Sequence, residues 1–356
     1  DKHMATKVTV KKGGNPFGAH RVIEPKGVLP QPALKVDNRM DYIYDNEILL
    51  DVDTLNIDSA SFTQIKEVNN RDEAKIKEMI LKIVGERGKM QNPVTGSGGM
   101  FLGRVAQIGP KLAGKTNLKV GDKVASLVSL SLTPLKIEKI LGIKKGTEQV
   151  NVKAKAIIFE SGIYAKIPKD MPEKLALAVL DVAGAPAQTA KLVRPGNTVV
   201  IIGAAGKSGV LCAYEAKRRA GVGGRIIGIT SSDSGLAKMK EYGFCDDCLK
   251  LSATNALECY EAINELTGGK LADVVINCVN IPNTEMASIL MTRDNGVVYF
   301  FTMATSFTKA ALGAEGVGKD VDMIIGNGYT KDHAEVTLNI MRENPKIRKI
   351  YEKTYA

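Results

Sequence analysis

Three glycines at three-residue spacing, Gly203, Gly206 and Gly209, lie between a β-branched run, Val199-Val200-Ile201-Ile202, and a helix-like segment, Val210 to Arg219. In a strand, glycine turn and helix, main-chain N–H groups can approach a pyrophosphate while the positive end of the helix dipole faces it. The spacing points to a dinucleotide site built from Gly203, Ala205, Gly206, Lys207, Ser208 and Gly209. Gly206-Lys207-Ser208 also looks like the end of a triphosphate-binding loop, but only Ala204 and Ala205 separate it from Gly203. Such a loop needs four intervening residues, which speaks against an NTPase. About twenty residues on, NAD-specific proteins carry an acid for the ribose 2′-hydroxyl. Here the sequence reads Thr230-Ser231-Ser232. Hydroxyls can donate to a 2′-phosphate, and Arg225, Lys238 or Lys207 could add charge, so NADP is expected ahead of NAD. The competing role for Ser232 or Asp233 is to cap the next helix.

The surrounding segments must hold that loop. Val199–Ile202, Gly209–Ala220, Arg225–Thr230, Gly235–Tyr242, Asp273–Cys278, Glu285–Met291, Val297–Phe301 and Val321–Ile325 follow a strand-and-helix pattern that implies a parallel, doubly wound sheet. Residues 172–192 are Ala/Leu-rich and helix-forming, after a change of composition at Ile167-Pro168. The chain before that point is mostly β, with frequent turns, as in a small barrel. Residues 15–38, rich in Pro and Gly, read as an extended segment crossing a surface. From Asp45 a strand with one wet face is expected. Ala74, Ile76, Met79, Ile80, Ile83 and Val84 mark a helix within 71–87. A last helix, His333 to Tyr351, is expected to bend or break at Pro345.

The formal net charge of +10 over 356 residues is spread along the chain without a basic arm or interleaved aromatics. That favours a solvated basic surface, or a field that attracts an anionic cofactor and a carboxylate substrate, over nucleic-acid binding. No apolar run is long enough to span a bilayer and no secretory segment follows the start, where Asp1-Lys2-His3-Met4 reads as a vector remnant. Five cysteines, an odd number, suggest reduced thiols in a cytoplasm. Cys245 and Cys248 have metal-like spacing but no second pair, and read as incidental or as a redox-sensitive pair.

Gly103-Arg104-Val105-Ala106-Gln107-Ile108-Gly109, Gly121-Asp122-Lys123-Val124, Lys166-Ile167-Pro168, Arg194-Pro195-Gly196-Asn197-Thr198-Val199 and the glycine loop occur in the order found in the medium-chain dehydrogenase/reductase superfamily, which the chain resembles over most of residues 45–330. The resemblance implies an α/β fold: a β-rich GroES-like barrel domain over 5–166, a Rossmann dinucleotide-binding domain over 167–330, and a C-terminal helix over 331–356 returning to the first domain. Pro16 to Pro30 and Leu55 to Phe62 resemble the 3,5-diaminohexanoate dehydrogenases of lysine fermentation. That resemblance implies NAD(P)-linked oxidative deamination of a small diamino acid.

Many superfamily members hold a catalytic zinc. Aligned on Gly103, the ligand positions fall near Ser59, Gly99, Met100 and Asp181. Neither glycine nor a thioether supplies the donor zinc needs, so no zinc is expected. The chemistry then needs a carboxylate base. Asp58, beside the old first-ligand position, is the first candidate, Asp181 the second and Glu160 the third. Each has the competing role of a capping or solvated carboxylate. His20, Arg21 and Ser59 are candidates for substrate contact, His20 equally as a structural residue. Val321–Ile325 reads as an exposed sheet edge, which implies a homodimer. Two other readings stand beside this one: a zinc-free quinone or enoyl reductase, for which Asn56 is also suited, and a non-catalytic dinucleotide sensor.

Overall fold

The computed structural model describes residues 7–144, 147–326 and 329–356. The expected vector remnant, and the first two residues of the expected barrel domain, lie outside them. The chain divides into two compact units, Asp1–Lys169 and Asp170–Ala356, with the boundary close to the composition change at Ile167-Pro168.

The first unit carries strands β1 Thr9–Lys11, β2 Val22–Glu24, β3 Lys35–Val36, β4 Tyr42–Tyr44, β5 Ile48–Ile57, β6 Gly99–Ile108, β7 Lys123–Ser126, β8 Leu135–Ile143, β9 Gln149–Ile158 and β10 Tyr164–Lys166. Its main sheet is antiparallel, in the order β10-β7-β6-β5-β9-β8. Alternation sets the faces of β5: Leu50, Val52, Leu55 and Ile57 are buried, while Asp51 and Asp53 are exposed. Two helices cover the apolar side, α1 Ser59–Val68 and α2 Glu73–Arg87. Phe62 and Ile65 of α1 join Ile76, Ile80, Ile83 and Val84 of α2 in one core with the strands. Asp72 caps α2 at its start and Gly88, at φ 72°, ends it. Ala74, expected in the apolar stripe, is exposed in the first turn. The N-terminal segment does not simply cross a surface: it makes a 3-10 turn at Ala19–Arg21, folds back so that β2 pairs antiparallel with β3, and buries Arg21.

The second unit contains α3 Glu173–Leu180, α4 Gly184–Leu192, β11 Thr198–Ile202, α5 Lys207–Ala220, β12 Arg225–Thr230, α6 Asp233–Tyr242, β13 Asp247–Lys250, α7 Ala256–Leu266, β14 Ala272–Asn277, α8 Glu285–Met291, β15 Thr292–Phe300, α9 Phe307–Gly316 and β16 Asp322–Ile325. The strands are parallel, in the order β13-β12-β11-β14-β15-β16. Val199, Val200, Ile201 and Ile202 are all buried, as a central strand covered on both faces requires. The order reverses between β11 and β14, the switch point at which such sheets bind ligands.

The last helix is two helices, α10 His333–Glu343 and α11 Pro345–Thr354. Asn344 between them is extended, and its side chain accepts from Ile347 N–H. Pro345 takes the first helical position, where its missing N–H is no loss. Both helices fall in the second compact unit. Leu338, Ile340 and Met341 bury the inner face of α10, and Thr337 Oγ1 donates to Ala183 O at 3.1 Å. The Tyr351 hydroxyl of α11 donates to Lys207 O, at the start of α5.

Candidate functional site

The loop after β11 turns through Gly203 at φ 85°, where a side chain would press on Val279. Gly206 N–H donates to Gly203 O at 3.0 Å, and Gly206 then caps α5 without a side chain. The first amide to find a helical acceptor is that of Val210, on Gly206 O. The amides of Lys207, Ser208 and Gly209 precede it in the first turn and are available to an anion. Gly209 is fixed by packing, since a Cβ there would overlap the Gly203 carbonyl oxygen. Replacing Gly209 with alanine is therefore expected to weaken dinucleotide binding at least about tenfold in a fluorescence titration with reduced cofactor. Unchanged affinity would mean the diphosphate lies elsewhere.

Beside this loop a cavity of about 130 Å³ opens between Gly203, Thr230, Ser231, Leu251, Val279 and Ile281. Its position at the C-terminal ends of β11 and β12 suits the adenosine half of a dinucleotide. Ser231 is exposed at its rim, whereas Ser232 caps α6 by accepting from Gly235 N–H at 3.0 Å. Arg225 cannot serve a 2′-phosphate there. It lies at the opposite end of β12 and is held by Asp247 at 2.7 Å and by Leu266 O. Lys207 forms an ion pair with Asp181 at 2.8 Å, so a cofactor candidate and a catalytic candidate occupy each other. Lys238 remains exposed on α6.

In the first unit, register decides which candidates can share a substrate. Ile57 pairs with Gly99 and Asn56 with Met100, so Asp58, Ser59, Gly99 and Met100 gather at one end of the sheet. Asp58 is the N-cap of α1: its Oδ1 accepts from Ser61 N–H and from Ser97 Oγ, each at 3.0 Å. Its Oδ2 is buried and has no hydrogen-bond partner among the described residues. Ser59 is exposed in the first turn of the helix. A buried carboxylate oxygen left open in this way needs an explanation, and a proton-handling role is one.

His20, Arg21 and Glu160 lie at the other end. Ile48 pairs with Ile158, so the chain before β5 and the turn after β9 are neighbours there. The ten residues of β5 separate that end from Asp58. At the rise of a strand this is about 30 Å, too far for one small amino acid to touch both. Arg21 is fully engaged: Nε and Nη2 donate to Glu47 at 3.0 and 2.7 Å, and Nη1 and Nη2 reach the carbonyls of Asp37, Arg39 and Tyr42. His20 Nε2 lies 2.8 Å from Glu47 Oε2, and its Nδ1 accepts from Asn15 N–H. Burial pushes the Glu47 carboxyl up. Hydrogen bonds from His20 and Arg21, with the Arg21 charge, outweigh that and hold it below the usual glutamate range. Glu160 is exposed and accepts from Asn46 Nδ2 at 3.3 Å. This cluster fastens the N-terminal segment and stands a strand's length from Asp58. Sequence reading missed its centre, Glu47.

A larger concavity of the first unit, about 930 Å³, lies over β5, β8 and β9, where Asp51 pairs with Lys155 and Glu138 with Lys153. None of the expected site residues lines it. Among the described residues no three of His, Cys, Asp and Glu converge as a metal site would require. All five cysteines are free, and burial pushes the Cys245 thiol up to about 12, which makes it a poor nucleophile. Among the described residues no helix is long and apolar enough to cross a membrane.

Comparison with known proteins follows the same division. The profile of the L-erythro-3,5-diaminohexanoate dehydrogenase N-terminal domain matches residues 20–168, and a zinc-binding dehydrogenase profile matches residues 209–317. An L-erythro-3,5-diaminohexanoate dehydrogenase of Acetoanaerobium sticklandii is 62% identical, over 96% of this chain and 99% of its own length. One of Fusobacterium nucleatum subsp. nucleatum is 58% identical, over 97% and 99%. Among solved structures, a mycobacterial quinone oxidoreductase aligns with a TM-score of 0.51 at 18% identity, over 84% of this chain and 81% of that one. A mycobacterial protein complexed with NADPH aligns with a TM-score of 0.51 at 17% identity, over 84% and 79%. At these identities the likeness is one of fold. The chain belongs to the L-erythro-3,5-diaminohexanoate dehydrogenase family.

Proposed function

We propose that this chain catalyses the oxidative deamination of L-erythro-3,5-diaminohexanoate to 5-amino-3-oxohexanoate and ammonia. The near full-length identity of 62% to a dehydrogenase of that name carries the reading. A nicotinamide dinucleotide, when bound at the glycine loop, supplies the acceptor for the C3 hydride. Everything else falls to the chain. The C3 ammonium must lose one proton before hydride can leave, and one water must then add to the imine and expel ammonia. Per turnover, one water is consumed and one proton is released beyond the ammonium ion. Asp58 Oδ2 is the acceptor we assign to that proton, on the strength of its burial and its lack of a partner. To Ser59, the exposed neighbour of Asp58, we assign a contact with the substrate. Asp181, paired with Lys207, and Glu160, at the far end of the sheet, are not assigned this role.

The reaction as proposed uses no zinc, because Gly99 and Met100 offer no ligand at the positions where superfamily members carry one. We infer a preference for NADP from Thr230 and Ser231 at the tip of β12, where Lys250 of β13 stands beside Thr230 in the sheet register. The neighbouring carboxylate of Asp233 is paired with Lys250 at 3.0 Å. A homodimer through the edge strand β16 is part of the same reading, as half-buried Met323, Ile324 and Ile325 lie on that outermost strand. Five free thiols suit a reducing cytoplasm.

Absorbance at 340 nm tests this. Diaminohexanoate with NADP should give a steady rise, and NAD a slower one. Loss of reduced cofactor driven by a quinone or an enoyl substrate, with no response to the amine, would favour the reductase alternative. A faster reaction with NAD would refute only the cofactor preference.

A further inference from the structure

Residues 92–98 form a tight loop against the first turn of α1. Asn92 N–H donates to Ser97 O at 2.9 Å and Gly96 N–H to Asn92 O at 2.8 Å, closing the loop on itself. Asn92 Nδ2 donates to Ser61 O at 3.3 Å and Gln64 Oε1 at 2.8 Å, and Asp58 N–H donates to Gly98 O at 3.1 Å. Gly98 is packed so closely that a Cβ would press on Ser131 N and Met90 O. The loop is thus fixed on both sides, and it carries one hydroxyl to the carboxylate: Ser97 Oγ, half-buried, 3.0 Å from Asp58 Oδ1. Behind it, Thr95 Oγ1 lies 2.8 Å from Ser97 Oγ, exposed to solvent.

We propose that Ser97 is a positioning residue for the deamination, resting on the assignment of Asp58 above. A carboxylate can take a proton on either oxygen. Oδ1 already accepts the Ser61 amide and the Ser97 hydroxyl, so its lone pairs are occupied and the carboxyl plane is fixed. Proton uptake is directed to Oδ2. Thr95 acts one step further back: by donating to Ser97 Oγ it leaves the Ser97 hydrogen pointing at Asp58. Without Ser97 the carboxyl rotates about its remaining bond to the Ser61 amide, and Oδ2 loses its direction.

Steady-state kinetics of Ser97→Ala, Ser97→Thr, Thr95→Val, Asp58→Asn and the double variant Asp58→Asn/Ser97→Ala test the proposal. Ser97→Ala should lower kcat about 10- to 100-fold, the worth of a hydrogen bond to a charged group, with KM for the amine within roughly threefold. Ser97→Thr should restore most of that loss, and Thr95→Val should show a smaller loss in the same direction. In the double variant the Ser97 change should cost nothing beyond Asp58→Asn, because the two act as one unit. Cofactor titration and a melting curve on each variant show that it is folded. Wild-type kcat in Ser97→Ala, with turnover lost in Asp58→Asn, would overturn the positioning role alone. So would fully multiplicative losses in the double variant. Retained turnover in Asp58→Asn would overturn the assignment beneath it as well.

Discussion

Asp58→Asn is expected to reduce kcat by about 10²- to 10⁴-fold, the usual contribution of a placed general base, while cofactor affinity stays within about twofold. Asparagine caps helices as well as aspartate does, so the Ser61 amide keeps its acceptor and α1 keeps its start. The Ser97 hydroxyl also keeps an oxygen to donate to. What disappears is the capacity of the second position to hold a proton. The side chain is nearly isosteric, so a loss of turnover cannot be charged to the fold, and a melting curve close to wild type verifies that. A kcat within about threefold of wild type would remove Asp58 from the mechanism.

Glu47→Gln should produce the largest loss of stability. The side chains of Glu47 and Arg21 are both fully buried and meet at 2.7 Å. Removing one partner of a buried ion pair leaves the other charge without compensation, which costs about 3–5 kcal/mol. For a unit of this size that is a fall in melting temperature of roughly 10 °C. The pH dependence has a definite sign. The folded-state carboxyl sits below the usual glutamate range, so the unfolded chain binds the proton first as pH falls. Its contribution is complete above that range and is lost on acidification. The difference between wild type and Glu47→Gln should therefore be full at pH 7 and shrink at acid pH. A constant difference would place the effect in packing rather than in charge.

Sequence alone showed the second unit best. Buried parallel strands announce themselves as β-branched runs, and Arg225–Thr230 and Glu285–Met291 have the expected limits. β13, α7 and α9 were missed because their apolar signal is sparse: α7 buries only Cys259 and Ile263, and α9 only Ala310 and Ala314. Helix α1 leaves a faint trace in the sequence: Asp58 stands before Phe62 and Ile65 as a cap before a short stripe, but the same aspartate reads equally as an acid at a strand end. His20, Arg21 and Asp58 are within forty residues of one another in sequence, and nothing in that spacing reveals that a ten-residue strand holds them apart. Ser97 carries no motif. It becomes visible only when the loop that bears it is seen against α1.

The hydrogen bond from Tyr351 to Lys207 O spans 144 positions of sequence. The opening turn of α5, to which we assign the diphosphate, is therefore tied to the closing turns of the chain, and the two cannot be ordered independently. Closing so long a span costs chain entropy that local contacts do not recover, so the grip on the diphosphate is only as firm as the docking of the terminal segment. Linkage makes the relation mutual: a nucleotide that stiffens residue 207 must also stiffen residue 351, and whatever loosens the tail loosens the grip by an equal free energy.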